Sequence, residues 1–112
     1  MIRLRDPLER PGRAPEFRCT VHGLCFDNRY RLLEAVQPGD RLVLRREPEN
    51  AIGADAIQVL TESTETLGYV PRQISRWLAP IMDSGHGARA EVLKVRRGAP
   101  YYERLLIQVR VL

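Results

Sequence analysis

Hydrophobic and polar positions alternate along most of this chain, and that alternation predicts strands. From Phe17 to Phe26, Phe17, Cys19, Val21 and Gly23 fall on one face, and Arg18, Thr20 and His22 on the other. This reads as a first strand, with Gly23 marking a bulge or a close backbone approach. Asp27-Asn28-Arg29 is turn chemistry. Tyr30 to Val36 is short and partly apolar, and reads as a helical turn or an irregular return. Pro38-Gly39-Asp40 marks a tight turn. Leu42 and Leu44 then alternate with Arg41, Val43 and Arg45 in a second strand that Pro48 ends, because proline cannot donate to a ladder. Asn50 suits an Asx-type turn. Ala56 to Leu60 is a third strand, Glu62 to Glu65 a hairpin loop, and Thr66 to Val70 a short fourth strand.

After Pro71 the period lengthens. Ile74, Trp77, Leu78, Ile81 and Met82 recur at helical spacing and predict a core-facing stripe. Pro71 fits the first turn, where no intrahelical amide bond is lost. Pro80 costs about 3 kcal/mol in a helix interior, which predicts a kink or two short helices, with Gly85 as terminator. Ala88 to Val95 and Arg104 to Leu112 return to alternation, joined by a turn at Arg97-Gly98-Ala99-Pro100. The expected fold is mainly β with one helix, a small six-stranded barrel. Residues 1–15, with Pro7, Pro11, Gly12 and Pro15, are expected to form a loose arm ahead of one domain over 16–112.

A length of 112 residues fits a single core. The formal charge of +4 favours polyanions. Lys94 is the only lysine, so the positive charge is nearly all arginine, a bias that genome composition also produces. No apolar run is long enough to span a bilayer, and Met1 to Asp6 lacks the pattern of a signal peptide, so a cytoplasmic protein is expected. Cys19 and Cys25 share a strand face but lie roughly 20 Å apart on an extended chain, which excludes a disulfide between them. His22 points to the opposite face, so the three do not converge as metal ligands. No phosphate-binding glycine loop, nucleophile elbow or metal-binding helix is present, and neither catalysis nor a cofactor is expected.

Four local wordings occur in an order that resembles the HIRAN domain family. They are Arg46-Glu47-Pro48 with Asn50; Ala56-Ile57 with Val59; Gly68-Tyr69-Val70-Pro71-Arg72; and Leu78-Ala79-Pro80 with Asp83 and Gly85. The resemblance covers about residues 17–95. It implies an OB-like barrel, and a module that binds single-stranded DNA or 3′ DNA ends in repair or fork processing. Such a module stands alone in bacteria and is attached to fork-remodelling ATPases in eukaryotes, so a helicase or nuclease partner is implied. In the family, aromatics stack on the terminal bases and an Asp reads the hydroxyl. The chain departs from that pattern after Asn50. Ala51-Ile52-Gly53 stands where Pro-Tyr-Asp is usual, and Asp55 falls two positions late. In the first strand, Gly23-Leu24-Cys25-Phe26 replaces Gly-x-Arg-Tyr.

The resemblance and the residue types together nominate Phe26, Arg46, Asn50, Asp55, Tyr69, Arg72 and Arg76 for DNA contact. Each has a structural alternative. Phe26 stacks on a base or fills the core. Arg46 anchors a phosphate or bonds turn carbonyls. Tyr69 stacks or packs at the strand–helix junction. Arg72 and Arg76, one helical turn apart, form a phosphate pair or a solvated face. Tyr101 and Tyr102 beside Arg96 and Arg97 make an aromatic-basic cluster whose alternative is a hairpin contact. A different class of function also fits: a protein-interaction or scaffold module on the same fold that has lost the DNA-end pocket.

Overall fold

A computed structural model describes residues 16–24 and 29–112, together with the backbone but not the side chain of Tyr30. The expected arm over 1–15 and Phe26 lie outside the described residues. The elements are β1 (Glu16–Thr20), α1 (Tyr30–Leu33), β2 (Arg41–Arg46), β3 (Ile57–Thr61), β4 (Thr66–Tyr69), α2 (Arg72–Asp83), β5 (Ala88–Val95) and β6 (Leu105–Val111). A short 3-10 turn, Tyr101–Glu103, precedes β6. The six strands form one antiparallel sheet in the order β1-β6-β5-β2-β3-β4. Mainly β with few helices, it matches the expected class. No helix among the described residues is long and apolar enough to cross a membrane.

The sheet curls until its two edges touch. Beyond β1, His22 N–H donates to the Tyr69 carbonyl (2.9 Å) and Tyr69 N–H donates to the His22 carbonyl (2.8 Å). This pair of bonds joins the chain after β1 to the end of β4. It requires a glycine at 68, because a Cβ there would collide with the His22 carbonyl oxygen and stand 2.8 Å from Val21 Cγ1. Inside the curl, alternate residues of every strand form one core, including Leu42, Leu44, Ile57, Val59, Leu67, Val92, Ile107 and Val109. Leu78 and Ala79 of α2 are buried in it, and Trp77 packs edge-on against Phe17 (centroids 5.1 Å apart).

Three local expectations are corrected. The first strand ends at Thr20, because Gly23 takes φ +86° and the chain leaves the β6 ladder to make the His22 bridge. Of the two outcomes expected at Pro80, two short helices are ruled out, because a single helix runs through it. Arg76, whose carbonyl Pro80 deprives of a bond, and Pro80 itself are both exposed, so water can satisfy that carbonyl while buried Leu78 and Ala79 hold the helix down. Pro71 sits at the N-cap (ψ 141°) rather than inside the first turn. At the other end Gly85 does terminate α2, at φ +108°, with His86 N–H on the Ile81 carbonyl and Gly85 N–H on the Met82 carbonyl. That is the Schellman pattern, which needs a left-handed residue at this position.

Candidate nucleic-acid interface

Between the β2–β3 connection and the start of α2 lies a cleft of about 240 Å³. Its walls are His22, Asn50, Ile52, Gly53, Asp55, Ala56, Tyr69, Val70, Arg72 and Ser75. Four of the seven nominated residues therefore meet there: Asn50, Asp55, Tyr69 and Arg72. Arg46 and Arg76 do not line it.

The loop over 47–56 holds its shape through its own polar groups. Asn50 Oδ1 accepts from the Ile52 and Gly53 amides at 2.9 and 3.2 Å, the Asx-type turn expected from sequence. Asn50 Nδ2 donates to Glu47 Oε1, and Ala56 N–H donates to the Gly53 carbonyl at 3.2 Å. Asn50 thus acts on the cleft by shaping the loop. Arg46 braces the same loop from behind. Its Nη1 donates to the Ala56 carbonyl (2.6 Å) and its Nη2 to the Ala54 carbonyl (2.7 Å). Its Nε and Nη2 reach the Asp83 carboxylate at 2.9 and 3.2 Å. Only 15% exposed, the Arg46 side chain spends its donors on turn carbonyls and on the last residue of α2, the structural one of its two readings.

Tyr69 reaches the outside of the barrel through a bulge. Val59 pairs with Gly68 and Gln58 with Tyr69, but the register shifts before Leu60 pairs with Thr66. The extra residue lets Leu67 enter the core while Tyr69, two positions on, stands outside beside Gln58. The Tyr69 hydroxyl donates to Glu47 Oε1 (2.9 Å), the oxygen that also takes Asn50. The Arg29 guanidinium lies 5.5 Å from the ring centroid, within cation–π range, and donates to the Gly23 carbonyl at 3.1 Å. Burial raises the Tyr69 pKa, and the hydrogen bond to Glu47 and that carboxylate's charge add to it, against a smaller lowering by Arg29 and Gln58. The phenol is thus held neutral and fixed in direction.

Asp55 and Gly53 occupy one another's space. A Cβ built on Gly53 would stand 3.0 Å from Asp55 Oδ1. The carboxylate therefore projects to where a side chain at position 53 would begin. Among the described residues it has no hydrogen-bond or ion-pair partner. Arg72, exposed, is the first residue of α2, whose first turn carries no acidic side chain. Arg76 is exposed one turn further along. Ile52, at the loop tip, is 88% exposed.

Sequence reasoning missed His22, Glu47 and Arg29 as parts of this site. Glu47 was visible within the Arg-Glu-Pro-x-Asn wording, but its two hydrogen-bond donors come from positions 50 and 69. Nothing local marked His22 or Arg29, which the closure of the sheet delivers. Elsewhere, Cys19 is a free, buried thiol whose pKa burial pushes up to about 12, the state of an inert core cysteine. No cluster of metal-ligating residues occurs among the described residues.

Comparison with known proteins agrees with this architecture. The chain is similar to two curated plant proteins, each a Fanconi-associated nuclease 1 homolog. It is 43% identical to that of Oryza sativa subsp. japonica over 51 residues, and 37% identical to that of Arabidopsis thaliana over 51 residues. Those matches take in 43% and 46% of this chain but only 5% and 6% of the plant proteins. Among solved structures, a structural-genomics target from Lactobacillus plantarum superposes with a TM-score of 0.73 at 26% identity, covering 84% of this chain and 90% of that one. The HIRAN domain of human HLTF superposes with a TM-score of 0.67 at 21% identity, covering 86% and 74%. The model of the HIRAN domain family matches residues 15–111, nearly the whole chain, so the chain belongs to the HIRAN domain family.

Proposed function

We propose that the cleft receives the free 3′ end of a single DNA strand, and that the domain is a binding module rather than an enzyme. The observation that carries this reading is the Asp55 carboxylate. It stands in the cleft without a hydrogen-bond or ion-pair partner among the described residues, beside a glycine that leaves it room. A carboxylate in that state can accept a hydrogen bond from a terminal hydroxyl, and it repels a terminal phosphate. Arg72 and the N-terminal end of α2 offer positive charge to the next phosphate, since an unbonded helix start favours anions. Tyr69 and Ile52 supply an aromatic and an aliphatic surface for the terminal base. The similarity of part of the chain to nuclease homologs supports a setting in DNA processing, with a nuclease or helicase as partner.

The test is fluorescence anisotropy with three labelled oligonucleotides, ending in a 3′-hydroxyl, ending in a 3′-phosphate, and fully duplex, at low and physiological salt. The expected order is 3′-hydroxyl tightest, with micromolar or weaker affinity that falls steeply with salt. Asp55→Asn, which removes the negative charge, should abolish the preference over the 3′-phosphate. Equal, salt-sensitive binding to all three would mean generic electrostatics. No binding even at low salt would instead favour a protein-interaction surface, for which the 88% exposed Ile52 is the observation.

A further inference from the structure

The polar side chains of the cleft sort into committed and uncommitted ones. Asn50 is spent on Glu47 and on the Ile52 and Gly53 amides, and the Tyr69 hydroxyl is spent on Glu47. Ser75, only 2% exposed, turns its hydroxyl to the Arg72 carbonyl at 3.4 Å. His22, Asp55 and Arg72 also line the cleft, and their side chains bond none of the described residues. Arg72 shares the cleft with Asp55, yet no ion pair joins them. Of these three, the ionised Asp55 offers acceptors only, on two oxygens. A single terminal hydroxyl fills one of them. Asp55 is half-buried, so a ligand that covers it and leaves the other oxygen without a donor incurs a desolvation cost.

The loop leaves room for a second donor. A Cβ at position 53 would stand 3.0 Å from Asp55 Oδ1, so any side chain there would crowd that oxygen. Gly53 keeps it open. The backbone does not ask for glycine at this point, because the left-handed glycines are Gly23, Gly39 and Gly85, and Gly53 is not among them. What the missing side chain supplies is the open flank of the carboxylate. A carboxylate open at both oxygens is matched by two hydroxyls on neighbouring carbons. The 3′ end of a ribonucleotide carries such a pair on one face of its sugar, whereas a deoxyribonucleotide carries the 3′-hydroxyl alone. Carboxylates read the ribose 2′-hydroxyl in dinucleotide-binding folds.

We propose that Asp55 takes the cis-diol of a 3′-terminal ribonucleotide, each carboxylate oxygen accepting from one hydroxyl. The ligand that fits best is then a strand that ends in ribose. This rests on the cleft reading and narrows it, from any 3′-hydroxyl end to a ribose end. The 2′-hydroxyl is what lets a protein tell RNA from DNA at a given site, and here it would be read at the last sugar.

The experiment is fluorescence anisotropy with 5′-labelled DNA strands of one sequence whose last sugar is ribose, deoxyribose, arabinose or 2′,3′-dideoxyribose. The ribose end should bind about tenfold tighter than the deoxyribose end, the worth of one more hydrogen bond to a charged group. Arabinose, with its 2′-hydroxyl on the other face of the sugar, should bring no such gain. Asp55→Asn and Gly53→Ala should each reduce the ribose end to the level of deoxyribose. Alanine keeps the amide and carbonyl that the loop uses at position 53. An all-RNA strand bound as tightly as the ribose-ended DNA would support RNA as the source of the diol, and a weaker one would support DNA capped by a ribonucleotide. Equal binding of ribose and deoxyribose ends, an equal gain from arabinose, or a gain that survives either substitution overturns the diol. If deoxyribose then still binds tighter than dideoxyribose, the cleft reading stands without it. If dideoxyribose binds as tightly as deoxyribose, the cleft reading falls and takes the diol with it.

Discussion

Two concave surfaces among the described residues differ in kind, and the larger of the pair is the less promising. The groove on the outer face of the sheet has a volume of about 540 Å³, against about 240 Å³ for the cleft. It is lined by Arg41, Arg89 and Arg110, but also by Glu16, Glu62 and Glu91. Several of these charges answer one another, although Arg89 lies opposite Arg110 across β5 and β6. Arg110 and Gln108 both bond the Glu16 carboxylate, and Arg41 lies directly opposite Glu91 across β2 and β5. The groove is a by-product of regular strands whose exposed rows pair across the sheet. The cleft is built differently, where a loop, a helix start and the closing edge of the sheet converge. Its polar atoms include those that hold the loop (Asn50, with Glu47 and Arg46 behind it) and one carboxylate, Asp55, that bonds none of the described residues. A recognition surface is marked by polar groups the fold leaves unspent in a fixed frame, and volume does not reveal them.

The largest effect should come from breaking the closure that makes one surface and not the other. Gly68→Ala drives a methyl into the His22 carbonyl and Val21, so a loss of about 3 kcal/mol is expected by urea unfolding, the upper range for overpacking. Stability unchanged by that substitution would mean that the His22–Tyr69 pairing does not hold the sheet edges together. A smaller effect separates the surfaces directly. Arg72→Ala should lower the slope of log affinity against log salt by about 1, as expected for one lost phosphate contact. Arg89→Ala, in the larger groove, should leave the slope unchanged. The reverse result would move the DNA to the outer face of the sheet.

The smallest effect sharpens the frame of the cleft. Tyr69 has its folded-state pKa raised, so the neutral phenol is the form that folding favours. The associated stability is fully present below the ordinary tyrosine value and is lost as pH rises through the folded value. Tyr69→Phe should therefore cost about 1 kcal/mol at pH 7, and the gap between variant and wild type should close at strongly alkaline pH. A gap independent of pH would show that the hydroxyl's bond to Glu47 carries no stability.

Much of the fold was legible because alternation and breakers act locally. The second to sixth strands fall within a residue or two of their expected spans, and Gly85 ends α2 as its left-handed φ requires. Pro80 does not split the helix, because its penalty is set in an isolated helix, whereas here it lies on the solvent side of a helix anchored by Leu78 and Ala79. Within the site, Asn50 was legible as the residue of an Asx-type turn, whereas Tyr69 was legible only as a residue type. Asn50 shapes the loop, and a bulge re-aims Tyr69 outward.

The second to sixth strands, the helix, the turn chemistry and the family follow from residues a few positions apart and can be read along the chain. Which charges are spent depends on contacts that only folding makes. Arg46 is consumed by a helix 37 positions away, and Tyr69 is tethered to a carboxylate 22 positions away. Asp55 takes the space beside Gly53. Whether a polar group is committed or available depends on partners that the closing of the sheet brings together, and spacing along the chain does not encode those distances.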